Sequence, residues 1–275
     1  MTRPDGPLVV VGDSLLDIDL EGTAERLTPD APVPVLDHLV ERARPGGAAL
    51  AALMAAREGV EVVLVTAFGD DEEGARLEAL LAGVELRRLR YDGPTPVKRR
   101  VRASGQSLLR LDSGSEPGTI SGVRGEWDEV VRSAGAVLVS DYGRGVAAVP
   151  EVREALAALS PRVPVMWDPH PRGPAPVPGC RLVTPNASEA RLFTEWLGEE
   201  LSGRSTVLAE VGRRADALVA RWHAGAVAVT LGDRGALLSY GSGAPLVMPA
   251  PSVLCLDACG AGDLFAVVAA LALRS

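Results

Sequence analysis

Asp257-Ala258-Cys259-Gly260-Ala261-Gly262-Asp263 is a glycine-rich turn that opens directly into an apolar helix and ends on a carboxylate. Gly260 and Gly262 let the backbone approach a ligand closely. The N–H groups of a first helical turn, backed by the helix dipole, form a site for an anion. An acid at Asp263 is misplaced for holding a phosphate but well placed to take a proton from an attacking hydroxyl. The arrangement suits phosphoryl transfer, with Gly260, Ala261, Gly262 and Asp263 as its catalytic turn. A lone G-x-G-D would read better as a loop with an N-capping aspartate; other segments decide against that.

Outward from this turn, the runs Leu8 to Val11, Glu61 to Thr66, Ala136 to Ser140, Val163 to Trp167, Leu182 to Thr184 and Ala226 to Thr230 read as buried strands. Ala48 to Arg57, Asp71 to Leu81, Glu151 to Leu159 and Ser188 to Trp196 read as helices. Strands alternating with helices predict an α/β fold with a mostly parallel central sheet covered on both faces. Two stretches, about 14–42 and about 85–112, hold no convincing helix. In the second, Val97, Arg99 and Val101 alternate with Lys98, Arg100 and Arg102. Both stretches read as β-strands outside the main sheet. No repeat or long linker divides residues 1–275, which read as one domain.

An apolar content of 47% is ample for a core. With 28 basic against 36 acidic residues, the net charge of -8 repels nucleic acid and anionic membranes, so an anionic substrate must meet a local basic cluster. Of the basic residues, 27 are Arg and only Lys98 is Lys. Either one surface Lys persists by chance, or this position needs a compact ammonium that a guanidinium cannot replace. Cys180, Cys255 and Cys259 form no C-x-x-C pair and read as thiols in a reducing cytoplasm. His38, His170 and His223 make no metal spacing. The longest apolar runs, such as Phe265 to Leu273, fall short of the roughly 20 residues a bilayer requires.

Gly46-Gly47-Ala48-Ala49 opens an Ala-rich helix, Asn186-Ala187-Ser188-Glu189 follows an apolar run, and Thr230-Leu231-Gly232-Asp233-Arg234-Gly235 links two β-like runs. In this order, with the final turn, these motifs resemble the ribokinase/PfkB family of carbohydrate kinases. The first half is most similar to the heptose 7-phosphate kinase domain of that family, which in many bacteria is fused to an adenylyltransferase. The finer resemblance rests on Val9 to Asp13 with Leu16-Asp17, Leu27 to Val35, Arg44 to Ala49, Lys98 with Arg100, Gln106, Leu109 to Asp112 and Val139 to Tyr142.

The resemblance implies a ribokinase-like fold with a small β-strand lid over the sugar, a magnesium-assisted transfer from ATP, and a sugar-phosphate acceptor. It is compatible with a homodimer through the lid. Asp13, Asp17, Gly46, Gly47, Lys98, Arg100 and Asp141 fall at substrate-binding positions. Asn186, Glu189, Thr230, Gly232 and Gly235 fall at nucleotide positions, with Asn186 and Glu189 associated with Mg²⁺ through water. Each has a plainer reading beside it: turn formation for Asp13 and Asp17, helix initiation for the glycine pair, capping for Asn186. For Asp168, followed by Pro169, a structural turn and a role in organising substrate and metal are equally good readings. The polar residues nevertheless converge on the carboxyl ends of the expected strands, where open parallel sheets bind ligands.

Two features depart from the family. Leu50 stands where an asparagine usually supplies a sugar contact, which points to a different sugar phosphate or a different pose. The last helix, about Gly262 to Leu273, is so apolar that it is expected to be buried on all sides. Relatives continue beyond it with helical sequence that contacts adenine, so either that segment follows or the adenine site is unusual. The chain has no P-loop sequence and no protein-kinase signature set. A protein that only senses a sugar phosphate or a nucleotide is the competing class. Asp263 with the Asn186/Glu189 pair argues for an enzyme.

Overall fold

In the computed structural model Leu8, Val9, Val10 and Val11 are all buried, yet alternate residues serve two different cores. Val9 and Val11 join one cluster and Leu8 and Val10 the other, as period-two geometry requires of a strand covered on both faces. The structure describes residues 6–103, 105–114, 116, 118–121, 126–196, 206–253 and 258–274.

The elements run β1 (Leu8–Leu27), β2 (Pro34–Gly47), α1 (Ala48–Arg57), β3 (Val62–Ala67), α2 (Glu72–Ala79), β4 (Glu85–Arg88) and β5 (Arg90–Asp92). Next come β6 (Val97–Ala103), β7 (Gln106–Ser113), β8 (Thr119–Ser121), α3 (Glu126–Ser133), β9 (Ala136–Ser140), α4 (Pro150–Leu159), β10 (Val165–Asp168) and β11 (Leu182–Val183). The chain ends with α5 (Ala187–Trp196), α6 (Val207–Trp222), β12 (Val227–Thr230), β13 (Ala236–Ser239), β14 (Leu246–Met248) and α7 (Ala261–Arg274).

The main sheet has the order β14-β13-β12-β11-β10-β9-β1-β3-β4, parallel except for the antiparallel β12-β13-β14 edge. One face packs on α3, α4, α5 and α6 through Val130, Leu156, Phe193 and Leu218. The other packs on α1, α2 and α7 through Ala52, Leu77 and Val267. The expected α/β architecture is what the chain adopts.

Three expectations need correction. The first strand does not end at Val11: β1 continues to Leu27, pairs with β9 as far as Gly12 and with β3 as far as Asp13, then with β2 from Ser14 and with β6 from Leu16. It is shared by the main sheet and a lid ordered β2-β1-β6-β7, so Asp13 and Asp17 lie within a strand instead of a turn. Residues 85–88 are not lid: they form β4, parallel to β3 at the edge of the main sheet. Nor is α7 buried all round. Ala266, Val267 and Ala270 face the core, while Leu264 and Val268 are 44% and 54% exposed, because a helix laid on a sheet buries one stripe.

The crossing between sheets depends on Thr66 of β3, whose buried hydroxyl donates to Gly12 O at 2.7 Å and accepts from Ser14 N at 3.1 Å. A Cβ on Gly12 would lie 1.9 Å from Ser140 O, so only glycine allows β1 and β9 this approach. We expect Thr66→Val, which keeps the shape but orphans both backbone groups, to lower unfolding free energy by about 1–3 kcal/mol in urea titrations. An unchanged midpoint would show that the crossing does not depend on this hydroxyl.

Candidate active site

Beyond the carboxyl ends of β9, β10, β11 and β12 lies a cavity of about 260 Å³. Asp141, Asn186, Glu189, Thr230, Gly260, Ala261, Gly262 and Asp263 all line it, as the sequence places them. At the final turn Leu264 N bonds Gly260 O at 2.9 Å and Ala261 N bonds Ala258 O at 3.2 Å. The Gly262 N–H has no such backbone partner among the described residues, the Asp263 N–H turns to its own carboxylate, and the Ala261 N–H is committed to the turn. A Cβ on Gly262 would meet nothing within 4 Å, whereas one on Gly260 would lie 2.9 Å from Leu50 Cδ2. Leu50 therefore braces the turn from behind with Met54. Asp257 and Cys255 lie outside the described residues.

Asn186 and Glu189 form a capping box: Asn186 Oδ1 accepts from Ser188 N and Glu189 N, and Glu189 Oε2 accepts from Asn186 N, all at 2.9 Å. Capping and cavity lining thus coincide. Thr230 N bonds Pro185 O at 3.1 Å, which brings β12 beside this cap. Gly232 is exposed in a left-handed turn with open space around it. Gly235 is there for packing, since a Cβ would lie 1.9 Å from Met248 O.

A second group gathers where β1 enters the lid. Asp13 is 2% exposed and accepts from three backbone N–H groups, of Tyr142 at 3.0 Å, Arg144 at 2.9 Å and Val146 at 3.0 Å. It clamps the loop after β9 and lies outside the cavity. Asp17 accepts from Arg100 Nη1 at 2.7 Å and lies opposite Lys98 in the β1/β6 register. Gly46 lets the Asp17 carboxylate come close, and Gly47 sits against Asp13 O and the Tyr142 ring. Lys98 Nζ stands 5.4 Å above the centroid of that ring. Tyr142 OH donates to Asp263 Oδ1 at 2.8 Å, which joins the two groups.

Residues 7–275 match the family described as pfkB family carbohydrate kinase. Bifunctional protein HldE of Streptomyces coelicolor is 52% identical over 265 residues, covering 96% of this chain and 55% of that protein. Its namesake from Azorhizobium caulinodans is 35% identical, covering 94% and 54%. The chain belongs to the pfkB family of carbohydrate kinases. It spans about half the length of these curated relatives. The fold agrees. A putative ribokinase from Agrobacterium tumefaciens superposes with a TM-score of 0.70 at 20% identity, over 98% of this chain and 84% of that one. Arabidopsis thaliana ribokinase, complexed with ribose and ATP, gives 0.68 at 24% identity, over 98% and 86%.

The electrostatics of this carbohydrate kinase set its acids apart. Burial pushes the Asp263 carboxyl up to about 6, against the Tyr142 hydrogen bond that lowers it, and pushes Asp141 up to about 7. Burial also raises Asp168 well above the ordinary range, although Thr184 Oγ1 donates to its Oδ1 at 2.8 Å. Asp141 Oδ2 is buried with no hydrogen-bond partner among the described residues. The sequence reading assigned no role to Tyr142, Thr184 or His170, which also line the cavity. Only the position of Tyr142, immediately after Asp141 at a strand end, signals it in the sequence.

These shifts predict a cost in stability. A carboxyl whose folded pKa lies above its ordinary 3.8 contributes most below that value and loses the contribution as pH rises through the folded pKa, here about 6. Asp263→Asn removes the buried charge and keeps an oxygen for Tyr142. We expect it to be more stable than the natural protein at about pH 8 by on the order of 3 kcal/mol, and so to unfold at a higher temperature, with the gap closing near pH 4. A gap that does not change with pH would contradict the assignment.

Proposed function

We propose that this chain transfers the γ-phosphate of ATP to a hydroxyl of a sugar phosphate, converting heptose 7-phosphate to heptose 1,7-bisphosphate. The observation that carries this reading is Asp263. It is 6% exposed, faces the cavity, and stands in the same helical turn as the Gly262 N–H, which has no backbone partner among the described residues. Asp263 takes the proton of the acceptor hydroxyl, whose oxygen attacks the γ-phosphorus while the bond to ADP breaks. The Gly262 N–H holds charge on the transferring group. Thr230 and Gly232 lie on the nucleotide side, and Gly235 shapes their turn.

Magnesium fits the residues as an ion that keeps most of its waters. No cluster of three His, Cys, Asp or Glu among the described residues could hold it alone, and Glu189, oriented by Asn186, offers one oxygen for its hydration shell. When bound, the ion neutralises phosphate charge.

The acceptor's phosphate belongs on the lid. Arg100 and Arg110 are directly opposite across β6 and β7 with Lys98 on the same face, and although Asp17 pairs with Arg100 and Asp112 with Arg110, three cations stand there against two acids, which suits an anion. Burial lowers the Lys98 pKa, so a phosphate there restores favourable surroundings for its charge. The names of the similar proteins support the heptose substrate. Leu50 supports a second reading within the class, a different sugar phosphate, because its side chain braces Gly260 and offers no hydrogen bond. We place the reaction in the cytoplasm, consistent with the buried thiol of Cys180, and without nucleic acid or membrane. No helix among the described residues is long and apolar enough to cross a membrane. The exposed Leu39, Val40, Leu109 and Leu111 support a homodimer through the lid.

Two substitutions test the reading against a panel of sugar phosphates that includes heptose 7-phosphate. Asp263→Asn lowers kcat by at least about 10²-fold with sugar affinity within a few-fold. Near-normal kcat sinks the base assignment. Lys98→Ala raises KM for the phosphorylated sugar by about 10-fold to 100-fold, and much less for its unphosphorylated analogue, since a charged hydrogen bond is worth about 1.5–3 kcal/mol. Equal effects on both acceptors rule out phosphate recognition by Lys98.

A further inference from the structure

We propose that Tyr142 is a positioning residue for proton transfer: its hydroxyl holds Oδ1 of Asp263 and leaves Oδ2 for the acceptor's proton. The inference rests on Asp263 being the base. The two carboxylate oxygens are divided in space. Oδ1 receives the Tyr142 hydroxyl at 2.8 Å, whereas Oδ2 lies on the side of the turn, 3.9 Å from where a Cβ on Gly260 would stand. A carboxylate otherwise rotates about its last bond and offers either oxygen, so one fixed donor decides which of them faces the reacting hydroxyl.

Tyr142 is itself fixed from three sides. Its N–H donates to Asp13 Oδ2 at 3.0 Å, its ring edge faces Gly47, and Lys98 lies over the ring. Burial and the neighbouring Asp263 charge raise its pKa far beyond any working pH, so the hydroxyl remains a donor. The bond also keeps the base usable. Burial alone raises the Asp263 pKa, Asp17 raises it further, and the Tyr142 hydroxyl, the Asp263 backbone N–H and Lys98 lower it. From β10, Asp168 faces the same group, and Glu189 at the start of α5 acts on Asp168. Among these, Tyr142 makes the direct side-chain hydrogen bond. Because Lys98 touches the same ring, the lid strand proposed to take the acceptor's phosphate also steadies the residue that aims the base.

The test is Tyr142→Phe, which removes one oxygen and keeps the ring beneath Lys98. Carboxyl NMR titration of Asp263, assigned by the resonance lost in Asp263→Asn, needs no substrate. Its midpoint is expected to move to higher pH in Tyr142→Phe. In steady-state assays with MgATP and heptose 7-phosphate, kcat falls about 10-fold to 100-fold, KM stays within about threefold, and the acidic limb moves to higher pH with the NMR midpoint. A tyrosine with a merely structural role would lower the melting temperature and leave the midpoint and the limb in place, which would overturn the proposal. A moved midpoint in a protein that does not phosphorylate heptose 7-phosphate rejects that substrate and supports the tyrosine's hold on Asp263. Normal turnover by Asp263→Asn overturns both the base and this inference.

Discussion

The carboxylate of Asp13 accepts three backbone N–H groups where β1 leaves the main sheet for the lid, and the site is assembled around it. A buried carboxylate is tolerable only when its lone pairs are filled, and charge-assisted bonds to N–H groups are among the stronger ones available. The three donors come from residues 142, 144 and 146, so one side chain sets the path of the loop after β9. Gly47 packs against Asp13 O, which ties the start of α1 to the same point. Tyr142, Gly47 and the lid crossing are thereby fixed relative to one another before any ligand is considered.

The cavity above this junction concentrates acids that the fold alone would not choose. Asp141, Asp168, Asp263 and Glu189 all have pKa values raised chiefly by burial. Groups held in their less favourable state are expected where function rather than stability selects residues. In a phosphoryl-transfer reading the arrangement divides the labour. A buried acid near neutrality takes a proton, the helix N-terminus receives the anion, and the cationic face of the lid takes the acceptor's own phosphate. The net charge of -8 makes that local cationic face necessary.

Much of the fold was legible because strands covered on both faces announce themselves as unbroken apolar runs, as at Val9 to Val11 and Val137 to Val139. The extent of β1 was not. Gly12 and Asp13 look like a turn, and nothing local reveals that a glycine is there to approach Ser140 O while the strand continues. Residues 85–88 were misread because ELRR is polar, and an edge strand needs little apolar surface. The last helix misled in the opposite sense, since Ala and Leu count as apolar wherever they face. At the site, the glycine turn and the N-x-x-E spacing were readable as local motifs. Tyr142 was not, because its partner Asp263 is 121 residues away and the bond exists only once β9 and α7 are side by side.

The lone lysine is best understood through that same tyrosine. Lys98 sits opposite Asp17 in the strand register, over the face of Tyr142, partly out of water, and with Arg100 two residues on along its strand. A guanidinium there would spread over the ring and extend its fork toward Asp17, which Arg100 already occupies at 2.7 Å. An ammonium instead holds its charge at a point, above the ring and clear of that ion pair, with three donors free to turn toward an arriving anion. Its pKa is lowered chiefly by burial, which disfavours the charge, and a neighbouring anion would act in the opposite direction. In a chain that uses arginine at all its other Lys/Arg positions, the one exception falls over the aromatic ring whose hydroxyl bonds Asp263.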